Sequence, residues 1–310
     1  MSSLNKTPLF DYHFEVGAKM IPVGSWTMPF QFGDGCKAEY LHGLEGCCIV
    51  DFCCANIYRM TGGNFTEFSR IAPELAVGQG DFCEWRADGK IIDVPFAVRM
   101  AEDDFLTAFS PSARNICLKS FDNDELQDLS ELFGCIAVWG RESAEILETL
   151  GADVAEWCYG TADKIEIAGV RCICCKVNVF ADIPGFMLFC DREKADDVWI
   201  ALFNTEGVWA SGTGSWDMGR MLDGRVPYNA LNVPHPLGLF KWQGRNLPRR
   251  GDMVQWDGGN GVQQSQVIYS ATVPQTDDSF LLVSGEFAPG HPLKRASDED
   301  EYGVLTEFFS

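Results

Sequence analysis

Positive charge is scarce in this 310-residue chain: 24 Lys and Arg stand against 45 Asp and Glu, for a formal net charge of −21. A chain this acidic repels phosphate backbones and anionic lipid, which argues against nucleic acid and membrane surfaces as partners. Histidine is scarcer still, with only His13, His42, His235 and His291. A Ser-His-Asp triad is hard to assemble from four, and each lone His reads first as a structural residue. No apolar run approaches the length that spans a bilayer. The stretch from Met1 to Phe10 lacks the basic start and apolar segment of a secretory signal, so a cytoplasmic location is expected. Also missing are G-x-G-x-x-G after a strand, G-x-x-x-x-G-K-[ST], H-E-x-x-H and G-x-S-x-G. Nucleotide binding and metallohydrolysis are therefore weakly supported.

Aromatic residues and cysteine are plentiful. With 22 Phe, 9 Trp and 46% apolar residues, the chain can fill two or three packed lobes, and wholesale disorder is excluded. The 13 Cys cluster at Cys47-Cys48, Cys53-Cys54 and Cys172, Cys174, Cys175. A tetrahedral metal site needs ligand pairs at loop-type spacings such as C-x-x-C, with a second such pair to close it, and no such double set occurs. Reduced thiols packed as small buried hydrophobes are the expected state, with no metal.

The run Cys135–Trp139 reads as a buried strand, followed by a helix over Arg141–Leu150 that Gly151 closes. A second helix is predicted over Glu193–Phe203. Strand-like runs lie between them at Lys164–Ile167, Val170–Val179 and Phe186–Cys190, so the class is α+β. After Gly224 the helical period disappears and Pro227, Pro234, Pro236 and Pro248 punctuate the chain. Strands are expected at Val267–Val273 and Phe280–Val283, in a small all-β domain. The expected organisation is a core over 1–225, a β domain over 226–295 and an acidic tail over 296–310. Asp298–Glu301 would be a solvated part of that tail.

Two local features could carry chemistry. Between Met218 and Gly251 the charges are Arg220, Arg225, Lys241, Arg245, Arg249 and Arg250 against Asp223 alone. These cations either pair with the acidic surplus elsewhere or form an anion site, because Arg forks match carboxylates. The other feature is Asp93, which follows Ile91-Ile92 and precedes Val94-Pro95-Phe96. It either ends a strand and points to water, or is desolvated and suited to proton handling or to binding a polar N–H.

The run Thr7-Pro-Leu-Phe-Asp-Tyr-His13, with Gly17-Ala-Lys-Met20 and Ser25-Trp-Thr-Met-Pro29, resembles the opening of the glycine cleavage T-protein family, folate-dependent aminomethyltransferases and related demethylases. The likeness continues through Gly43–Asp51, Met60-Thr-Gly62, Gly89-Lys-Ile-Ile-Asp93, Ile136–Gly140 and, more faintly, Gly212–Gly224. Gly244–Gly251 is similar to the family's G-R-x-I-P-R-x-G.

The resemblance implies a three-lobed cloverleaf, with two interleaved mixed α/β lobes and a C-terminal β-barrel. It also implies tetrahydrofolate as cofactor, with Asp93 holding the ring and Arg220, Arg245 and Arg250 near the glutamate tail. Several family motifs are altered. D-V-S-H-M reads Asp51-Phe-Cys-Cys-Ala55, and the Tyr and Asn before the G-G pair become Asp81 and Arg86. The ring-binding Glu of T-G-E-x-G-Y-E becomes Met187. A-R-D-x-L-R-L-E keeps Asp217 and Arg220 but carries Trp216 for its first Arg. The K-G-C-x-x-G-Q-E of the iron–sulfur-assembly relatives is absent.

The leading expectation is a tetrahydrofolate-dependent one-carbon transferase acting on a small N-, O- or S-methylated donor, with a lipoyl carrier protein as a weaker partner. The alternative is a non-catalytic member that binds folate or a partner. If Trp216, Met187 and Phe186 line one apolar pocket, an aromatic or thioether donor is favoured.

Overall fold

The computed structural model describes residues 4–309 except 73, 88–89, 123, 181, 224, 229–236, 244–246, 250–251, 258–261, 273–278, 285–291 and 296–297. The chain is α+β and divides into two compact units: Met1–Arg86 with Ile92–Gly219, and Ala87–Ile91 with Arg220–Ser310.

In the first unit a six-stranded sheet runs in the order Ala162–Ile167, Val170–Phe180, Ile183–Asp191, Phe133–Trp139, Cys47–Asp51, Val208–Ala210. All neighbours are antiparallel except Val208–Ala210, which lies parallel to Cys47–Asp51. The expected strands at 135–139, 164–167, 170–179 and 186–190 are all present, each slightly longer than its apolar run. All five residues of Cys47–Asp51 are buried, as in an inner strand covered on both faces. On one face the helices Ser143–Thr149 and Ala195–Phe203 bury Leu147, Val198, Trp199 and Leu202 against Ile136, Val138, Phe186 and Leu188. Each such side chain contributes about 1.5–3 kcal/mol of hydrophobic stabilisation.

The segment between the strands Cys47–Asp51 and Phe133–Trp139 forms a second, antiparallel five-stranded sheet. Its order is Leu126–Asp128, Asn56–Met60, Asp104–Phe109, Phe96–Ala101, Gln79–Phe82. The helices Gly62–Phe68 and Arg114–Ser120 supply Phe68 and Cys117 to its core beside Tyr58, Phe105, Phe109 and Phe121. The two α/β cores are thus interleaved in sequence. A three-stranded sheet places Asn5–Lys6 parallel to Trp26–Gln31, which pairs antiparallel with Lys19–Val23.

The second unit contains a closed barrel ordered Leu237–Trp242, Ser279–Ser284, Val262–Thr272, Met253–Asp257, Leu293–Arg295, Asp298–Phe309. Phe240, Trp242, Val254, Trp256, Leu281, Val283 and Leu293 fill its interior. The acidic tail is corrected here. Asp298–Phe309 is a strand that pairs with Leu237–Trp242 and with Leu293–Arg295, closing the barrel. The β-formers Tyr302, Val304, Leu305, Phe308 and Phe309 outweigh the short acidic run before them.

Eleven of the cysteines are buried; Cys36 is half-buried, Cys158 is exposed, and all are free thiols. Burial pushes the Cys47, Cys83 and Cys175 thiols up to about 12, which keeps them protonated near neutrality. No helix among the described residues is long and apolar enough to cross a membrane.

Candidate functional site

Asp93 ends the strand Lys90–Asp93 and is fully buried. Both halves of the sequence reading are therefore met in one residue: it terminates a strand, yet it does not point to water. The Ser110 N–H donates to Asp93 Oδ2 at 2.8 Å, and Asn56 Nδ2 donates to the Ser110 carbonyl at 2.6 Å. Ser110 directly follows the strand Asp104–Phe109, and its hydroxyl shares a hydrogen bond with that of Ser112. Burial raises the Cys117 thiol, and the negative charge of Asp93 raises it further. A buried carboxylate held by a backbone N–H suits orienting a polar N–H group or holding a proton.

Trp216 lies on the helix Thr213–Leu222, whose entry is fixed from several sides. Glu39 Oε2 accepts from the Gly212 N–H at 3.0 Å, while its Oε1 accepts from the Phe32 N–H at 2.6 Å. Thr213 Oγ1 donates to the Pro29 carbonyl at 3.2 Å, and the Ser211 N–H donates to Ile49 O at 2.9 Å. Glu39 is buried, and burial raises its pKa although the Phe32 and Gly212 N–H groups oppose the shift.

So anchored, the Trp216 ring is 1% exposed and meets Phe52 edge-on at 4.9 Å and Phe180 at 5.0 Å. Phe82 stands 6.3 Å away and contacts Phe96 at 5.2 Å, which stacks on Phe189 at 5.9 Å. Phe180 also meets Trp139 at 5.2 Å.

Met187 opposes Ala137 across the sheet, and Trp139 opposes Gly185, so Met187, Phe189 and Trp139 share one face. Phe180 links Trp139 to Trp216, which puts Trp216 on the same side of the sheet as Met187. Phe186 does not join them: it projects to the opposite face, into the helix-covered core with Leu188 and Ile146. Adjacent residues on a strand alternate faces, so Phe186 and Met187 cannot line one pocket.

Phe52, Phe82 and Phe180 carry no motif of their own in the sequence. Their one sequence signal is their position beside altered motifs: Phe52 follows Asp51, Phe82 follows Asp81, and Phe180 precedes the 181–187 segment. Asp81 and Arg86, which stand where the family carries Tyr and Asn, are both exposed.

Arg220 belongs to the second unit, is 3% exposed, and donates through Nε to the Val226 carbonyl at 2.6 Å. Arg225 pairs with Asp223 at 2.8 Å, so part of the basic stretch neutralises locally. Arg245 and Arg250 lie outside the described residues, as do His235 and His291. Among the four histidines His13 is fully buried beside Asp51, and His42 stacks on Trp209 at 4.1 Å while hydrogen-bonding Gly207 O.

The family model described as the GCVT N-terminal domain matches residues 9–228. An aminomethyltransferase of Porphyromonas gingivalis is 26% identical over 70% of this chain and 64% of its own length. One from Deinococcus deserti is 25% identical over 99% of this chain and 92% of its own. The chain thus spans 64% of the length of the first curated relatives it matches, slightly under two thirds. The crystal structure of glycine cleavage system aminomethyltransferase T from Bartonella henselae superposes with a TM-score of 0.77 at 16% identity, covering 98% of this chain and 97% of that one. That likeness establishes the fold. Together with the family match, it makes the chain a divergent member of the glycine cleavage T-protein family.

Proposed function

We propose that the protein is a tetrahydrofolate-dependent one-carbon transferase whose donor is a small N-, O- or S-methylated compound. The observation that carries this reading is Asp93, a fully buried carboxylate kept at the position where the family's motif holds folate. Its Oδ2 is fixed by the Ser110 N–H, so the group needs no reorganisation before it meets a ligand.

The residues present fit a folate ring in part. Asp93 offers a charge to ring nitrogens, while Met187 and Trp216 offer apolar and aromatic surface suited to the flat faces of a ring. Met187 in place of Glu removes a charge-assisted hydrogen bond worth roughly 1.5–3 kcal/mol, or about one to two decades of affinity. Tetrahydrofolate, when bound, supplies the N5 nitrogen that accepts the one-carbon unit. Asp93 orients that ring and takes the proton N5 must lose, a general-base role. Arg220, Arg245 and Arg250 are assigned to the glutamate tail on resemblance alone. Glycine cleavage itself is disfavoured, because the altered motifs are those of the folate and aminomethyl pocket. A free methylated donor needs no lipoyl carrier protein.

One observation favours the alternative, a non-catalytic member that binds a partner. Trp216 and Met187 are only 1% and 3% exposed, and Trp216 already has rings packed around it.

Titration with tetrahydrofolate, followed by Trp fluorescence and calorimetry, decides between the readings. Micromolar binding by the wild type that Asp93→Asn loses supports the enzyme. Asn can still accept the Ser110 N–H, so the variant should stay within about 1 kcal/mol of wild-type stability while transfer is abolished. Absence of binding at millimolar folate, or unchanged turnover in Asp93→Asn, overturns the assignment.

A further inference from the structure

The packed cysteines contain one arrangement that the folate reading does not use. Cys172 on the strand Val170–Phe180 stands directly opposite Cys190 on the strand Ile183–Asp191. It is the one Cys–Cys pair in register among the described strand ladders; Cys174 opposes Leu188, Cys175 opposes Met187, and Cys135 opposes Phe189. Opposed residues of an antiparallel pair project to the same face, and both thiols enter the same helix-covered core.

Their Cα separation is set by the ladder at about 4.5 or 5.5 Å, according to the type of pair. Both values fall within the roughly 4.4–6.8 Å of Cα separation that a disulfide spans. The neighbouring Cys172 side chain, together with burial, pushes the Cys190 thiol upward. Cys172 retains 2% exposure and Cys190 none, so Cys172 is the sulfur an oxidant reaches first. Cys172 Sγ donates to the Val170 carbonyl at 3.6 Å and Cys53 Sγ to the Cys135 carbonyl at 3.5 Å, so what sets Cys172 and Cys190 apart is their register and not their hydrogen bonding.

We propose that Cys172 and Cys190 form an oxidation site that closes to a cross-strand disulfide on exposure to hydrogen peroxide. The Cys172 sulfur attacks one peroxide oxygen, the O–O bond breaks, and a sulfenic acid and one water result. The Cys190 sulfur then attacks the sulfenic sulfur. The S–S bond forms and the oxygen leaves as a second water, carrying the Cys190 proton. Two thiols lose two electrons and two protons, and one peroxide becomes two waters. Cys172 and Cys190 are 2% and 0% exposed, so a small neutral oxidant reaches them through local opening, while glutathione disulfide is too large and too charged. The exposed Cys158 meets no such filter. The bridge would lock the hairpin that carries Met187, three residues before Cys190 on the opposite face of the same strand.

The full-length reduced protein is treated with hydrogen peroxide, or in parallel with glutathione disulfide. Remaining thiols are alkylated in denaturant, and peptides are mapped without reductant by mass spectrometry. The expected result is a Cys172–Cys190 linked peptide after peroxide, absent after glutathione disulfide, which modifies Cys158 alone. The thermal midpoint should rise by several degrees and return to its starting value with dithiothreitol. Cys172→Ser should lose both the link and the rise. Complete oxidation of Cys158 while Cys172 and Cys190 remain alkylatable overturns the proposal. So does a link from Cys190 to Cys53 in equal yield. The wild-type map decides the matter even if the variant folds poorly.

Discussion

His13 Nε2 lies 3.1 Å from Asp51 Oδ2, and neither side chain has any solvent exposure. Thr7 Oγ1 donates to the same Oδ2 at 2.8 Å, and the Cys53 N–H donates to Oδ1 at 2.8 Å. The N-terminal segment is thereby tied to the end of the inner strand Cys47–Asp51 through a single carboxylate. A carboxylate in this position is costly to bury and is retained only because its lone pairs are filled.

That arrangement has a pH signature. Burial alone would raise the Asp51 pKa, but His13, the Cys53 N–H and Thr7 together hold it below the ordinary 3.8. A depressed folded-state pKa contributes stability that is complete above the unfolded value and is lost as pH falls through the folded one. Asp51→Asn should therefore cost about 3 kcal/mol near neutrality, because an amide N–H replaces an acceptor facing donors. The difference from wild type should shrink at acid pH, below the aspartate range. Denaturant unfolding near neutrality and near pH 3 measures both; a cost independent of pH would contradict the assignment.

Glu39 has the opposite sign. Its pKa is raised above 4.5 chiefly by burial, so the folded state is favoured most when it is protonated, and stability from this group falls as pH rises through the folded pKa. Gln at this position does not titrate. Glu39→Gln should cost roughly 1–2 kcal/mol near pH 4, for the altered acceptor to Phe32 and Gly212, and less near neutrality. Chemical denaturation across that range tests the trend, and a cost that grows with pH would exclude it.

The contrast between these carboxylates and the elements around them shows what the sequence makes visible. The strand Phe133–Trp139 and the helices Ser143–Thr149 and Ala195–Phe203 follow directly from apolar runs and helical spacing, because each buries one regular stripe. The helix Gly35–Glu45 does not, since it buries Glu39, Tyr40 and Gly43 and so hides a charge and a glycine on its inner face. The barrel strand Asp298–Phe309 was obscured by its acidic start, although the register places its apolar end opposite Leu237–Leu239. At the candidate site Asp93 was legible from its apolar flanks. The ring cluster of Phe52, Phe82, Phe180 and Trp216 was not, because its members come from four separate segments that only the fold brings together.

Gly43 offers a packing test of that hidden helix. A Cβ there would overlap the ring of Trp139, which is fully buried and carries a hydrogen bond from Nε1 to Ser211 Oγ at 3.2 Å. Gly43→Ala should destabilise by about 1–3 kcal/mol through overpacking, despite the better helix propensity of Ala. Trp139→Leu opens the space, so the double variant should be less costly than the two single costs added together. Strict additivity in a double-mutant cycle would mean the two residues do not press on each other.

Met187→Glu probes the candidate site most directly. It returns the carboxylate whose family counterpart recognises the ring, on a strand face shared with Trp139 and Phe189. In the free protein that carboxylate would sit where Met187 is now 3% exposed, so stability should fall by roughly 1–3 kcal/mol and the new group should titrate above the ordinary glutamate range. If the ring lies against this face, the same substitution supplies the missing charge-assisted hydrogen bond, and tetrahydrofolate affinity should rise by about one to two decades. Calorimetric titration with parallel thermal melts separates the two effects, since the cost falls on the free protein and the gain on the complex. A loss of stability with no gain in affinity would mean that the ring does not reach Met187. The aromatic cluster would then be packing alone, and partner binding would become the better reading of this scaffold.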